Sequence, residues 1–85
     1  MYRIEFENSA RKSLAKLDRP VATRITAAIA ALAENPRPAG ATQLVSESNA
    51  WRIRVGDYRV IYTIEDDVLT VWVIKVGHRR EIYER

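Results

Sequence analysis

The sequence predicts a single α+β domain over residues 1–85, in the order β-α-α-β-β-β, with a helical hairpin packed on one face of a mostly antiparallel sheet. Three observations support this fold class. Apolar residues alternate with polar ones near the N-terminus, then recur at helical spacing, and alternate again in the second half between tight turns. With 85 residues, of which 47% are apolar, the chain is long enough for one core.

The N-terminal half predicts one strand and two helices. Apolar and polar residues alternate over residues 2–6, which indicates a strand, and apolar residues then recur every three or four positions over residues 10–17, which indicates an amphipathic helix. A second helix is expected to begin at Asp18, an N-cap acid, with a proline in its first turn. It is expected to stop at the pair Asn35-Pro36, with a loop after it. The short connection between the helices predicts an antiparallel hairpin.

The C-terminal half predicts three strands. Residues 51–55 alternate cleanly, and a Gly-Asp pair then gives a two-residue hairpin signal before the next strand at residues 58–64. Two consecutive aspartates mark a second turn. The last strand, residues 68–76, is nearly all apolar, which is typical of a strand in the middle of a sheet.

One face of this sheet is expected to carry several arginines. A single helical hairpin covers only one face, and alternation then points Arg52, Arg54 and Arg59 to the other. Two interpretations stay open: a solvated face relieved by nearby acidic residues, or a binding site for a polyanion such as nucleic acid. The net charge of +3 does not decide between them. Guanidinium groups do favour phosphate, because they bind it through paired donors.

The C-terminal run is the second candidate site. After Gly77 come His78, Arg79, Arg80 and Tyr83, which place an imidazole, two guanidiniums and a phenol close together in the chain. Cleavage of RNA by its own 2′-hydroxyl needs a base, a proton donor for the leaving 5′-oxygen and cations that stabilise the charged phosphorane. The alternative is that the histidine is an ordinary polar residue at a strand end and the tyrosine packs on the edge of the core.

Composition excludes several kinds of site. The absence of cysteine rules out disulfides, thiolate zinc sites and cysteine nucleophiles, and one histidine cannot build a histidine metal cluster. We therefore expect no metal and no cofactor. No apolar run approaches the roughly 18 residues of a membrane-spanning helix, and the N-terminal segment lacks the apolar stretch of a signal peptide. The sequence predicts a cytoplasmic protein with no membrane partner.

Two motifs, WRIRVGDYRVIY at residues 51–62 and VGHRREIY at residues 76–83, together resemble the RelE toxins of type II toxin–antitoxin modules. The order of elements matches across the whole chain. The resemblance implies an endoribonuclease that cuts the mRNA codon in the ribosomal A site through 2′-hydroxyl attack, without a metal. It also implies a cognate antitoxin that neutralises the toxin, in a complex that binds its own operator DNA through the antitoxin.

The resemblance also implies roles for individual residues. Arg59 occupies the position of the first catalytic arginine, Arg79 best matches the second, and Tyr83 matches the catalytic tyrosine. His78 replaces a lysine of the family, so part of the acid–base work is expected to pass to it. Arg80 is an alternative to Arg79 as the second arginine, and otherwise an RNA-binding residue.

Arg52 and Arg54 stand where the best-known members carry two lysines, and are expected to bind RNA. This departure matters because arginine holds phosphate but is a much poorer proton donor or acceptor than lysine. Most of the seven aromatic residues are expected on the covered face, so the ribosome is expected to supply the orientation of the substrate.

The sequence leaves open two alternatives with a different function. One is the ParE branch of the same superfamily, whose members poison DNA gyrase by binding and do not cut RNA. The set formed by Arg59, Arg79 and Tyr83 favours RelE over ParE, because ParE toxins generally lack it. The other is an inactive protein of the toxin fold that is kept as a partner for the antitoxin.

Overall fold

A computed structural model describes residues 1–45 and 49–82. Its elements follow the predicted order, with one short strand added. They are β1 (Arg3–Phe6), α1 (Asn8–Ala15), α2 (Arg19–Ala31), β2 (Thr42–Gln43), β3 (Ala50–Val55), β4 (Tyr58–Glu65), a 3-10 turn (Asp66–Val68) and β5 (Thr70–His78). The predicted α+β class is confirmed. No described helix is long and apolar enough to cross a membrane.

The strands form one sheet in the order β1-β5-β4-β3-β2. β3, β4 and β5 make an antiparallel meander, and β2 pairs antiparallel with β3. β1 lies parallel to β5, with Arg3 opposite Thr70 and Phe6 opposite Val73. The apolar last strand therefore has a neighbour on each side, as its composition predicts, and the sheet is mixed but mostly antiparallel.

Three element boundaries differ from the sequence prediction. The α-helical part of α2 ends at Ala31. In the turn that follows, hydrogen bonds join residues three apart and not four, as from the Glu34 amide to the Ala31 carbonyl (3.2 Å). β5 begins later than expected, at Thr70, because Leu69 adopts a left-handed conformation with φ of 48° after the 3-10 turn. β2 lies in the predicted loop and pairs with the N-terminal part of β3.

Both helices pack on one face of the sheet, hereafter the covered face. Helix α1 packs on β5, and α2 packs on β3. The largest fully buried side chains come from α2, the turn after it and the strands β4 and β5: Tyr62, Ile25, Ile29, Leu32, Val60, Val71 and Val73. The Tyr62 hydroxyl is satisfied in this core, because it donates a 2.7 Å hydrogen bond to the Pro36 carbonyl. Burial raises the pKa of the Tyr62 hydroxyl to about 12.

A β-bulge interrupts the pairing of β4 with β5. Tyr62 pairs with Val73, but the next residue back along β4, Ile61, pairs with Lys75, so that Ile74 is an extra residue in β5. An extra residue reverses which face the following side chains take. Beyond the bulge Lys75 therefore lies on the face without helices, the open face, and Val76 lies in the core with 3% exposure.

A cluster of paired polar groups, here called the Asp66 corner, joins the start of the chain, the loop after α2 and the turn before β5. Arg37 donates to both carboxylate oxygens of Asp66 (2.8 and 3.3 Å), and the Tyr2 hydroxyl donates to the same carboxylate at 2.6 Å. The Arg37 guanidinium also lies 5.6 Å from the ring centroid of Trp51. Hydrogen bonds from Arg37 and Tyr2 lower the pKa of Asp66, and the bond to Asp66 raises the pKa of Tyr2.

Candidate functional site

Four cations of the open face lie on three adjacent strands, β3, β4 and β5. Arg54 of β3 pairs directly with Arg59 of β4, and Arg52 of β3 lies in one row with Ile61 of β4 and Lys75 of β5. Directly paired residues of neighbouring strands project to the same side of a sheet. The predicted facing of the three arginines is confirmed. The four residues Arg52, Arg54, Arg59 and Lys75 are hereafter the cationic face.

The charges of this face would favour a bound anion. Like charges directly opposite each other, as at Arg54 and Arg59, destabilise a sheet. The Arg59 side chain is only partly exposed, and its Nη1 atom is buried without a hydrogen-bond partner among the described residues. An unsatisfied buried donor costs free energy, more so on a charged group. A phosphate between these guanidiniums would supply both the missing acceptor and the missing negative charge.

Sequence reasoning missed two residues of the open face. Lys75 is exposed there because of the β-bulge, and strict alternation from Val73 would have assigned it to the core. Trp72 pairs with Thr63, which lies between two core residues of β4, so the partly exposed Trp72 is also on the open face. Its alternation with the buried residues on either side could have identified it.

Arg79 lies beside the turn that joins β3 to β4. Its amide donates a 2.8 Å hydrogen bond to the Asp57 carbonyl, and its Nε lies 3.9 Å from Asp57 Oδ1. Arg54 and Arg59 flank the same turn, so the turn brings Arg79 to their end of the sheet. The side chains of Arg79 and Asp57 are more than half exposed, so this ion pair is loosely held.

The chain turns back sharply after β5. The amides of Glu81 and Ile82 both donate to the His78 carbonyl, at 2.8 and 3.2 Å. Gly77 permits this turn because a Cβ atom there would lie 3.0 Å from Cγ1 of the buried Ile82. Since Gly77 pairs with Arg59, the turn begins directly beside the cationic face.

His78 projects to the covered face, away from the four cations. It pairs with Tyr58, and the two rings meet edge to face with centroids 5.4 Å apart. Its Nδ1 accepts a 3.1 Å hydrogen bond from the Arg80 amide. The imidazole lines a cleft of about 530 Å³ together with Glu81 and with Lys16, which directly follows α1. The structure therefore separates His78 from Arg59, with which the sequence had grouped it.

The remaining predicted site residues are placed only in part. Arg80 is exposed in the turn after β5, and its amide bond to His78 fixes its backbone. Tyr83, the predicted catalytic tyrosine, lies outside the described residues. Arg59 and Arg79 are thus near one end of the sheet, Arg52 and Arg54 extend the charge along β3, and His78 lies on the opposite face.

Comparison with known proteins identifies the family. Residues 4–83 match the model of a family described as "ParE toxin of type II toxin-antitoxin system, parDE". The chain belongs to the RelE/ParE toxin superfamily. It is 33% identical over 85 residues to Toxin RelG of Mycobacterium tuberculosis, an alignment that covers 99% of this chain and 98% of the relative. It is therefore a toxin of the type II toxin–antitoxin class, and the resemblance predicted from its two motifs is confirmed.

Solved structures agree with this assignment. The isolated RelE toxin of Escherichia coli matches with a TM-score of 0.82 and 26% identity over 92% of this chain and 84% of that one. The toxin of the intact E. coli RelBE complex matches with a TM-score of 0.82 and 27% identity over all of both chains. The RelBE2 toxin–antitoxin complex of M. tuberculosis matches with a TM-score of 0.80 and 29% identity over 92% and 98%. The last two were crystallised with their antitoxins.

Proposed function

We propose that this toxin is a metal-independent endoribonuclease that cuts mRNA codons in the ribosomal A site. The observation that carries the proposal is the cationic face, where Arg59 lies on the same side as three other cations and its buried Nη1 atom has no hydrogen-bond partner within residues 1–45 and 49–82. RelE toxins generally cut mRNA on the ribosome, and the relatives of this chain include several that carry this family name.

The reaction builds negative charge on one phosphate. The 2′-oxygen attacks phosphorus, and the product is a 2′,3′-cyclic phosphate with a free 5′-hydroxyl on the other fragment. Arg59 and Arg54 are placed to hold the nonbridging oxygens as that charge develops, and Arg79 adds a third guanidinium from the neighbouring turn. Tyr83, in its phenolate form, is assigned as the base that accepts the proton of the 2′-hydroxyl. We assign His78 no proton transfer, because its imidazole faces Tyr58 on the other side of the sheet.

The ribosome supplies what the cationic face lacks. Proteins that grip free single strands combine positive charge with aromatic rings on which successive bases stack. On the open side of the described sheet, Trp72 is the one aromatic residue. We therefore expect the A site to orient the codon over Arg59, a contribution worth several kcal/mol in oriented reactions. The activity is therefore expected in the cytoplasm, where ribosomes translate mRNA.

A cognate antitoxin fits two surfaces of the chain. An apolar groove between α1 and α2, lined by Leu14, Leu17, Ala22, Ala27 and Ala30, suits the apolar side of an amphipathic helix. The cationic face suits an acidic segment, which would neutralise the site directly. The solved E. coli and M. tuberculosis structures are toxin–antitoxin complexes. Operator DNA would be bound by the antitoxin part of the complex.

A second candidate function has one observation in its favour, since the matching family model is that of the ParE toxins. A ParE-like protein would poison DNA gyrase by binding and would leave RNA intact. The two functions make different use of the cationic face. A nuclease needs Arg59 for a chemical step, whereas a gyrase poison needs only a complementary surface.

One experiment separates the two functions. Purified toxin is added to ribosomes that carry a synthetic mRNA with a defined A-site codon, and the cuts are mapped by primer extension. Two assays run in parallel: the same mRNA without ribosomes, and cleavage of DNA by gyrase in the presence of the toxin. Cuts within the A-site codon, with little cleavage of free mRNA, are the expected result. Intact mRNA together with stalled gyrase–DNA complexes would overturn the proposal in favour of the ParE-like function. When a residue of the cationic face is substituted in this assay, Arg11→Ala is the matched control, because it removes a positive charge from the exposed side of α1.

A further inference from the structure

Lys75 is the one member of the cationic face whose side chain can donate a proton and be left as a neutral amine. Arginine stays protonated in proteins, whereas lysine exchanges its proton and serves as an acid or base in active sites. The proposed reaction needs a proton for the leaving 5′-oxygen. His78, the other nitrogen acid of the predicted site, faces the covered side of the sheet.

The sheet register places Lys75 next to Arg59. Lys75 pairs with Ile61, and Arg59 lies two residues along β4 from Ile61, which makes Arg59 and Lys75 diagonal neighbours on one face. Diagonal neighbours have Cβ atoms about 7–8 Å apart. Two side chains as long as arginine and lysine can therefore both reach one phosphate group from this spacing.

The ammonium group of Lys75 has no competing structural task in the described part of the chain. The side chain is exposed, and it forms no ion pair or hydrogen bond with the described residues. The carboxylates that share its side of the sheet are otherwise placed. Glu5 is paired with Arg3 at 3.0 Å, and Glu65 lies at the far end of β4 from Arg59.

We infer that Lys75 is the general acid of the RNA cleavage described above, an inference that rests on the proposed function. As the 2′-oxygen forms its bond to phosphorus, its proton passes to the general base of the proposed reaction. The bond from phosphorus to the 5′-oxygen breaks, and its electron pair stays on the 5′-oxygen. That oxygen takes a proton from the Lys75 ammonium, which leaves a neutral amine that water reprotonates.

The β-bulge is what makes this role possible. Bulges occur next to active sites, where they re-aim a side chain. With Ile74 as the extra residue, Lys75 points to the open face and Val76 returns to the core. The structure therefore keeps an apolar strand and still presents an acid beside Arg59.

The test uses Lys75→Arg, which keeps the positive charge and removes the transferable proton, on ribosomes that carry one of two synthetic mRNAs. The first has an ordinary A-site codon. The second has sulfur in place of the 5′-oxygen at the scissile bond, and a thiolate leaves without protonation because thiols are far more acidic than alcohols. We expect Lys75→Arg to cut the ordinary codon about 10²-fold or more slowly than the wild type. It should cut the sulfur-containing codon at close to the wild-type rate.

The controls separate this inference from the proposed function. Arg59→Ala should be slow on both mRNAs, because charge stabilisation is needed with either leaving group, and Lys12→Arg in α1 should match the wild type on both. If Lys75→Arg cuts the ordinary codon at the wild-type rate, the inference is overturned. An equal loss of rate on both mRNAs would also overturn it, because Lys75 would then only position the RNA. A wild-type protein that cuts neither mRNA would instead refute the proposed function itself.

Discussion

The Asp66 corner and the cationic face both concentrate charge at the surface, but they treat it in opposite ways. In the Asp66 corner Arg37 contacts both oxygens of one carboxylate, and Tyr2 donates to the same group. On the cationic face Arg54 lies opposite Arg59, and the Nη1 atom of Arg59 has no partner among the described residues. The chain can therefore neutralise an arginine where the fold requires it, and it leaves the Nη1 atom of Arg59 available to an external anion.

This difference predicts two classes of substitution. Removing a cation from the cationic face relieves repulsion between neighbouring charges, so the free energy of unfolding should stay the same or rise slightly. The rate of cleavage should fall, because residues kept for function often cost stability. Removing a partner in the Asp66 corner, or in the buried core beside it, should lower stability and leave the rate of cleavage unchanged.

Arg59→Ala should give the largest loss. Removing a group that stabilises charge in the transition state typically costs a factor of about 10² to 10³ in rate. Arg59→Lys keeps the charge without the paired donors, so it should retain more activity than Arg59→Ala. Cleavage of a defined A-site codon measures the rate, and urea unfolding measures stability. A large fall in the unfolding midpoint of Arg59→Ala would show that Arg59 is structural and would remove the contrast between the two regions.

Tyr83→Phe tests the proton transfer that the proposed mechanism assigns to this residue. The substitution removes one hydroxyl, and on this mechanism the cleavage rate should fall by about 10²-fold, the usual scale for a general acid or base. Ribosome binding, measured by co-sedimentation, should be unchanged. Cleavage of the A-site codon at the wild-type rate would mean that another group accepts the 2′-hydroxyl proton.

Tyr62→Phe tests the covered side of the sheet. It removes the 2.7 Å hydrogen bond to the Pro36 carbonyl, which should lower the free energy of unfolding by about 1 kcal/mol with no change in cleavage rate. The pKa of Tyr62 is raised to about 12 in the folded state, so its contribution is complete below pH 10 and is lost as the pH rises from 10 to 12. The difference in stability between the wild type and Tyr62→Phe should narrow over that range. A constant difference would contradict the assignment.

Asp66→Asn should have the smallest effect, because the Asp66 side chain is 55% exposed and surface ion pairs contribute little. Since the pKa of Asp66 is lowered in the folded state, its contribution is present above the ordinary aspartate range near pH 4 and is lost as the pH falls below it. The wild type should therefore exceed Asp66→Asn in urea midpoint at pH 7, and the two midpoints should converge in acid. A midpoint difference that persists in acid would point to packing and not to charge.

The fold could be predicted because its signals are local. The change of period after β1, the proline near the start of α2 and the Gly-Asp turn each act within a few residues, and the facing of Arg52, Arg54 and Arg59 follows from simple alternation. The Asp66 corner could not be predicted this way. Its two main partners, Arg37 and Asp66, are 29 residues apart and meet only because the loop after α2 crosses the end of the sheet.

The facing of His78 and Lys75 could not be predicted because of the bulge at Ile74. Strict alternation from Val73 would put His78 beside the arginines and Lys75 in the core, and the extra residue reverses both. No turn residue marks this bulge, because all of its neighbours are ordinary strand formers. A sequence can therefore specify the sheet and still conceal which polar side chain its functional face presents.

The parallel pairing of β1 with β5 also sets an order in which the molecule can fold. The strands β3, β4 and β5 follow one another through short turns. β1 pairs with β5 across a large sequence separation, because both helices and the other strands lie between them in the chain. The Tyr2–Asp66 hydrogen bond, for example, spans 64 positions. Contacts between distant residues carry a loop-closure cost and form slowly. We therefore expect the meander to assemble first and β1 to dock last. All four cations lie on the early-forming strands, while the free edge of β5 stays exposed to pairing with other chains until β1 covers it.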